Sequence, residues 1–478
     1  MILRSLLDRK SNSYSLAGSF LICVALIVVV LLTDTQPAYT LPVYNVKAIP
    51  AFARKYGLPC SACHTAWPEL NYFGMAFRDR GYQLGNDRDS PIWQNPSYWP
   101  VTARMTPMWH RESTDQQITD TATNAKVTQA GFDLSGMDLW MAGTLYKNIS
   151  FSLLPSSDET GAFHFENAFV RFDNLAGSQW LNLKFGHFEL DNLISEKRFL
   201  FLSANGGLYQ NFHFIPVGDV NNFGIGDNQT GIELAGHDAN SYTRYSISLL
   251  SSTDGGVGFQ DSGGNNTTGR SYDWYFTFTK GFPTGNLGVQ RIQPFFYYGN
   301  RPTIFNQTVG GDVIPATGTG NKSFYRAGFQ GDLFLGKFEV LPFFQHSNDN
   351  VYLANGIPAN QAITAGMQNA IWNGGFIETH YYWSPQLVFL QRWEIVRMSQ
   401  QGLTTTPGTQ GNIDAYSFGY RWYPIMFSRA GLAWHNEYSI VKSIGIVPLS
   451  GNGSGSPPIT PTTPVWSSSL IFGFDFDF

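Results

Sequence analysis

The run Cys60-Ser61-Ala62-Cys63-His64 sets two thiols three positions apart and follows them at once with an imidazole. Thiols at this spacing can work as a redox dithiol or supply half of a zinc site. The adjoining histidine points to a third chemistry, in which both sulfurs add to the vinyl groups of one haem and the histidine gives its iron an axial nitrogen. Cys23 is the only other cysteine and lies in an apolar stretch near the N-terminus, so no second pair exists to complete a zinc site. One covalently bound haem c is the expected cofactor, attached through Cys60 and Cys63, with His64 as proximal iron ligand. Met75 is the first candidate for the distal ligand, because a Met/His pair raises the iron's potential. Met105, Met108 and His110 are alternatives, and Met75 packing only is the bland reading of that side chain.

Positioning these groups falls to short local elements. A helix is expected from Pro50, stopped by Gly57, with Phe52 and Tyr56 on one side. A second is expected from Pro68 to Arg80, ending at Gly81, so that Trp67, Leu70, Phe73 and Phe77 form an apolar wall for a porphyrin. Asn86 to Pro100 has no periodicity and reads as a linker. A cytochrome spanning 41–100 is too small to bury a substantial core by itself. Upstream, Arg4, Arg9 and Lys10 precede the apolar run Leu16 to Leu32 and small residues near Ala38. Residues 1–38 are read as an export signal peptide, the alternative being a retained transmembrane helix. Ile22 before Cys23 does not suit a lipoprotein signal.

The remainder, 101–478, is organised differently. Only 14% of the 478 residues are charged while 15% are aromatic and 49 are glycine, a mixture that suits alternating strands. The net charge of −5 carries no nucleic-acid footprint. Beyond Val101 the hydrophobic period is two. Tyr325, Ala327, Phe329, Leu333 and Leu335 share one face against Arg326, Gly328, Gln330 and Asp332; Phe389, Trp393 and Ile395 oppose Arg392 and Glu394. One apolar face and one ion-capable face fit a transmembrane β-barrel, and a soluble sandwich or propeller would alternate too. The connections decide. Tight links near 147–148, 336, 384–385 and 423–426 alternate with long ones near 191–226, 255–270, 301–321, 349–370, 399–410 and 442–465. Short turns on one rim and long loops on the other are the outer-membrane pattern. The fold class is therefore all-β, an outer-membrane barrel of about 16 antiparallel strands with both ends periplasmic and a small N-terminal α-helical c-type cytochrome domain. The last strand, Ser469 to Phe478, carries Phe472, Phe474, Phe476 and Phe478 on one face and resembles the C-terminal assembly signal of bacterial outer-membrane proteins.

Taken together, these residues resemble the fused monohaem cytochrome-porin family of outer-membrane iron oxidases. The resemblance rests on Ala48, Pro50, Phe52, Ala53 and Arg54; Cys60, Cys63 and His64; Pro68 and Leu70; and Phe73, Gly74 and Phe77. Lys55-Tyr56-Gly57, Met75 and Arg78 stand where the family has other residues. What the resemblance implies is one-electron oxidation of extracellular ferrous iron, an iron(II):cytochrome oxidoreductase activity. The electron would pass to a periplasmic cytochrome c or copper protein, and the barrel would stand in outer-membrane lipid. A conduit for another extracellular donor or acceptor, and a diffusion porin with a cytochrome plug, are the alternatives.

For ferrous iron itself, His380 with Glu378 and His435 with Glu437 are i, i+2 pairs on the lumen face; solvated or cross-strand-paired groups are the commoner explanation of such pairs. Residues 350–377, 398–413 and 443–474 contain no charged side chain. Uncharged polar loops do not change state when carboxylates protonate near pH 4, so an acidic exterior is expected.

Overall fold

The structure, a computed structural model, describes residues 52, 56, 58, 60–66, 68–84, 101–118, 124–157, 162–198, 200–202, 206–251, 272–302, 307–309, 312–314, 321–357, 361–426, 431–446 and 461–477. The expected signal peptide, the helix from Pro50 other than Phe52 and Tyr56, Trp67, and the linker from Asn86 lie outside these residues.

Two small strands, β1 (His64–Ala66) and β2 (Glu69–Leu70), pair around Pro68 and lead into α1 (Tyr72–Asp79). The barrel follows with β3 (Val101–Ile118), β4 (Asn124–Tyr146), β5 (Ile149–Ser157), β6 (Phe163–Phe172), β7 (Asn182–Glu189), β8 (Asn228–His237), β9 (Thr243–Ser251), β10 (Tyr272–Pro283) and β11 (Val289–Pro302). After the loop hairpin of β12 (Gln307–Val309) and β13 (Asp312–Ile314), it continues through β14 (Asn321–Leu335), β15 (Phe338–Asp349), β16 (Ala370–Ser384), β17 (Leu387–Gln400), β18 (Ile413–Met426), β19 (Gly431–Ile444) and β20 (Pro464–Asp477). A short helix, α2 (Val351–Ala354), follows β15. Among the described residues, sixteen strands close one antiparallel barrel, sealed where β20 pairs with β3. Closure leaves no edge, which the aromatic last strand requires.

Side chains alternate as period two demands. Along β10, Tyr272, Trp274, Phe276 and Phe278 are exposed and Asp273, Tyr275, Thr277 and Thr279 are buried. On β20, Phe472, Phe474 and Phe476 face outward while Ile471 and Asp475 face inward. The outer belt is thus apolar, and the wall's charged and polar side chains point inward, where a group of aromatic residues joins them. Tight connections join β4 to β5, β14 to β15 and β16 to β17, and the long ones sit on the opposite rim. Val101 pairs with Met141 near the β4–β5 turn and Asp477 with Arg104, so both barrel ends lie on the tight-turn rim. The expected tight link at 423–426 shifts later, because β18 runs on to Met426 through an irregularity in its register.

Two expectations about loops are corrected. Residues 190–198, 200–202 and 206–227 do not stand out from the rim but fold into the barrel. Tyr209, Phe212, Phe223 and Ile225 from this segment pack with the wall residues Phe295, Tyr297, Phe324, Phe343 and Phe376 in one buried core. Wall side chains also satisfy its backbone: Gln293 and Gln330 accept from Leu193 N and Ile194 N at 2.8 Å each, and Glu394 accepts from Asn211 N at 2.7 Å. Such pairing is what lets irregular backbone be buried. The charge-free loops, for their part, are not simply exposed. Leu353, Ala354 and Gln401 are buried, and Gln368 N donates to Gly402 O at 2.8 Å, Gln401 Nε2 to Gln410 O at 2.7 Å and Gly411 N to Ile444 O at 2.8 Å. These loops zip together over the far rim. Burial of uncharged amides that find partners costs far less than burial of charges, which accounts for part of the missing charge without reference to the medium.

Candidate functional site

Cys60 to Ala62 form one turn of 3-10 helix, and His64 opens β1. Asn71 ties this turn to α1. Its Nδ2 donates to Ser61 O and Ala62 O at 3.2 Å each, its backbone N to Cys63 O at 2.9 Å, and its Oδ1 caps the helix by accepting from Gly74 N at 3.0 Å. An N-cap asparagine satisfies a helix donor that has no partner within the helix. The helix therefore starts at Tyr72 rather than Pro68, whose neighbours Glu69 and Leu70 are taken up by β2. At Gly74 a Cβ would stand 2.2 Å from Cys63 O, so glycine is what allows α1 to lie against the turn.

His64 Nδ1 is 3.2 Å from Pro68 O and 3.1 Å from Glu69 O. Carbonyls only accept, so Nδ1 carries the proton and any bond to a metal is left to Nε2, the orientation an axial imidazole needs. Burial pushes the imidazole pKa down to about 4, against the two carbonyl bonds, which raise it. Phe77 is buried among Phe52, Tyr56 and Tyr82, with ring centroids 5.0, 5.7 and 6.2 Å away. Leu70 and Phe73 are half-buried. Met75 projects elsewhere: its sulfur meets the Arg291 guanidinium on β11. Met105, Met108 and His110 lie on β3, where His110 faces Asp133 across 4.0 Å.

The whole assembly sits inside the tight-turn rim. Arg171 donates to Arg78 O at 2.8 Å and Asp79 O at 3.2 Å, placing a cation on the carbonyl end of α1, where the helix dipole favours it. Burial alone would raise the Asp79 pKa, but Arg244, 3.5 Å away, together with Arg78, His237 and Arg171 holds the carboxylate well below its ordinary range. Gln83 donates to Lys147 O at 3.0 Å, and Ala66 joins a core with Leu200, Phe201, Val388 and Leu390. Between α1, the inward segment and the wall lies a small cavity of about 40 Å³.

The lumen pairs behave differently from each other. His435 Nε2 is 2.8 Å from Glu437 within β19. His380 Nε2 likewise meets Glu378 at 2.8 Å, but its Nδ1 faces Glu339 on the neighbouring β15 at 3.1 Å and Glu69 on β2 at 3.2 Å. Glu69, Asp332 and Glu339 were not singled out from the sequence, and no local pattern could have joined them. Asn71 carried a signal in its spacing, three residues before Gly74.

Neither a protein-family model nor a curated protein sequence matches the chain. Among solved structures it is similar to the anion-selective porin from Comamonas acidovorans, at a TM-score of 0.50 and 10% identity over 79% of this chain and 99% of that one. It is similar also to OmpT of Vibrio cholerae (TM-score 0.44, 10% identity, 80% and 98% covered) and OprB of Pseudomonas putida (0.44, 10%, 79% and 94%). At this identity the likeness is one of fold, and the fold is that of a porin barrel.

Proposed function

We propose that this is a bacterial outer-membrane electron-transfer protein that oxidises extracellular ferrous iron through a c-type haem and passes the electrons to periplasmic carriers. The observation that carries the reading is the Cys60–His64 turn, with His64 Nδ1 bound to two backbone carbonyls, seated in the mouth of a barrel whose outer belt is apolar. Cys60 and Cys63 would hold the haem and His64 Nε2 its iron, and the group when bound supplies one-electron exchange. The chain's own residues do the rest. Asn71 and Gly74 hold the attachment turn on α1, Phe77 with Phe52 and Tyr56 keeps water from that face, and Arg171 and Arg244 fix α1 to the wall. The tight-turn rim, which carries this segment, would face the periplasm and its electron carrier. Packing of the inward segment inside the lumen favours a relay over a diffusion pore, because the lumen is filled by side chains rather than lined by them.

Anaerobic mixing of the purified protein with ferrous iron tests the reading. Prompt reduction of a covalently attached haem is the expected result. A haem that ferrous iron does not reduce across a wide pH range would point to a different extracellular donor or acceptor, and a protein without haem would end the proposal.

A further inference from the structure

We infer that Glu69, Glu339 and His380 form a binding site for one divalent first-row cation, independent of the haem, that clamps the N-terminal segment to the barrel wall. One oxygen from each carboxylate and His380 Nδ1 lie within 4.8 Å of one another. His380 Nδ1 is 3.1 Å from Glu339 Oε2 and 3.2 Å from Glu69 Oε2. Bonds of roughly 2.0–2.2 Å to nitrogen and oxygen put neighbouring ligands about 3.0–3.5 Å apart, so these spacings are those of a coordination polyhedron's edges.

The surroundings are built for a cation rather than for a plain ion pair. The other ring nitrogen, Nε2, meets Glu378 Oε1 at 2.8 Å, and Glu378 is in turn held by Arg392 Nη1 at 3.2 Å. A carboxylate behind the distal nitrogen is what orients a metal-binding histidine and raises its basicity. On the ligand side, carboxylates outnumber donors. The Tyr382 hydroxyl offers a single hydrogen to Glu339 and, at 3.3 Å, to Glu69. Asp332, only 4% exposed, lines the same cavity, and its Oδ1 has no hydrogen-bond partner. Arg291 pairs with Asp332 in register but turns its guanidinium to Met75 and the Tyr72 ring. A buried acceptor of this kind, beside two further carboxylates, carries a cost that a bound cation removes. One imidazole with two or three carboxylates selects manganese(II), iron(II) or zinc(II) over calcium or magnesium, which prefer oxygen alone.

The geometry also says what binding would do. Glu69 belongs to β2, whose backbone carbonyl receives the His64 proton, whereas Glu339 and His380 belong to wall strands β15 and β16. A cation shared among them joins a short peripheral hairpin to the barrel.

The test is titration of the chelator-treated full chain in detergent with manganese(II) alone, counting free ion by electron paramagnetic resonance. One tight site per chain is expected, with nitrogen coupling to the bound ion in pulsed spectra. Glu69→Gln and His380→Gln should each weaken binding at least tenfold, and His380→Gln should also abolish the nitrogen coupling. Glu378→Gln acts through orientation and should weaken binding roughly 10- to 100-fold while keeping the coupling. Glu69 lies outside the wall, so Glu69→Gln leaves barrel assembly intact, as retention of the heat-modifiable folded band in gels will show. Absence of a tight site in the natural protein, or unaltered binding in Glu69→Gln, would overturn the inference.

Discussion

Single residues shape the Cys60–His64 turn, the proposed attachment site, with little redundancy. Asn71 makes three bonds to the Cys60–Cys63 turn and two to α1, and Gly74 is in contact with Cys63 O with no room for a methyl. Gly74→Ala should therefore push α1 off the turn, at a cost of about 1–3 kcal/mol typical of overpacking, and lower the yield of covalently attached haem in stained denaturing gels. Cys60→Ser and Cys63→Ser should each remove one thioether, leaving haem that acidified solvent extracts more easily. For Met75 the contact with Arg291 predicts that Met75→Leu leaves the reduced absorption spectrum unchanged; an altered spectrum with a lower potential would mark its sulfur as the distal ligand. The proposed attachment residues Cys60, Cys63 and His64 are near neighbours in the chain, so the spacing that suggests haem chemistry is visible without the fold. Of the second cluster only His380, beside Glu378, stood out in the sequence; Glu339 lies 41 residues before it on the neighbouring strand and Glu69 far upstream, so the fold alone joins the three.

At the scale of elements, the strands were legible and the inward segment was not. Lipid outside and the packed interior impose a period of two that is clear along β10 and β17, though β6 and β7 do not follow it. Residues 190–227 obey no period: Leu190, Tyr209, Phe212 and Phe223 are buried by an irregular path whose partners lie on several strands. Arg392 holds this path, donating to Gly206, Gly207 and Leu208 carbonyls while pairing with Glu378. Arg392→Met takes the guanidinium from Glu378 and from the Gly207 and Leu208 carbonyls, while His380 and Ser417 still serve Glu378 and Gly206, and should cost about 3–5 kcal/mol, read as a lower denaturant midpoint in micelles. The segment's own titrating groups make its hold depend on pH. Burial and the neighbouring Asp349 push the Asp219 pKa up to about 8, against the Asn221 backbone N–H and Arg326, which lower it. At His213 burial lowers the pKa, but Glu196 at 2.7 Å and Asp227 outweigh it and leave it raised. Both groups bind protons more tightly when the segment is docked. Their contribution is complete below the ordinary carboxylate range for Asp219 and below about 6.5 for His213. It is lost as pH rises through each folded value, that of Asp219 by about 8. Hydrogen exchange in 206–227 should accordingly quicken between pH 5 and pH 9, and Asp219→Asn should flatten the part of that response belonging to the carboxyl.

For the whole molecule, two bodies compete to explain a closed lumen: the N-terminal segment at the tight-turn rim and the inward segment across the middle. They are anchored differently. The N-terminal segment is held over one rim by Arg171 of the wall, which reaches its backbone, and by its own Gln83, which reaches the Lys147 carbonyl of the β4–β5 turn. The inward segment shares a continuous apolar core with the wall and is crossed by Gln293, Gln330, Glu394 and Glu437, all buried. An element packed into the core cannot move aside without exposing that core, so it, rather than the peripheral segment, sets permeability. Deleting Tyr44 to Ser97 should then abolish haem while leaving solute flux through reconstituted protein near its original low level. Shortening the inward segment between Phe201 and Phe223 should raise flux by an order of magnitude or more while haem stays attached. High flux after the first deletion alone would mean that the N-terminal segment is the plug, and the relay would become a gated pore. Low flux in the first variant and high flux in the second would instead separate the two roles: a barrel closed by its own wall-bound loop, and a redox segment mounted on its rim.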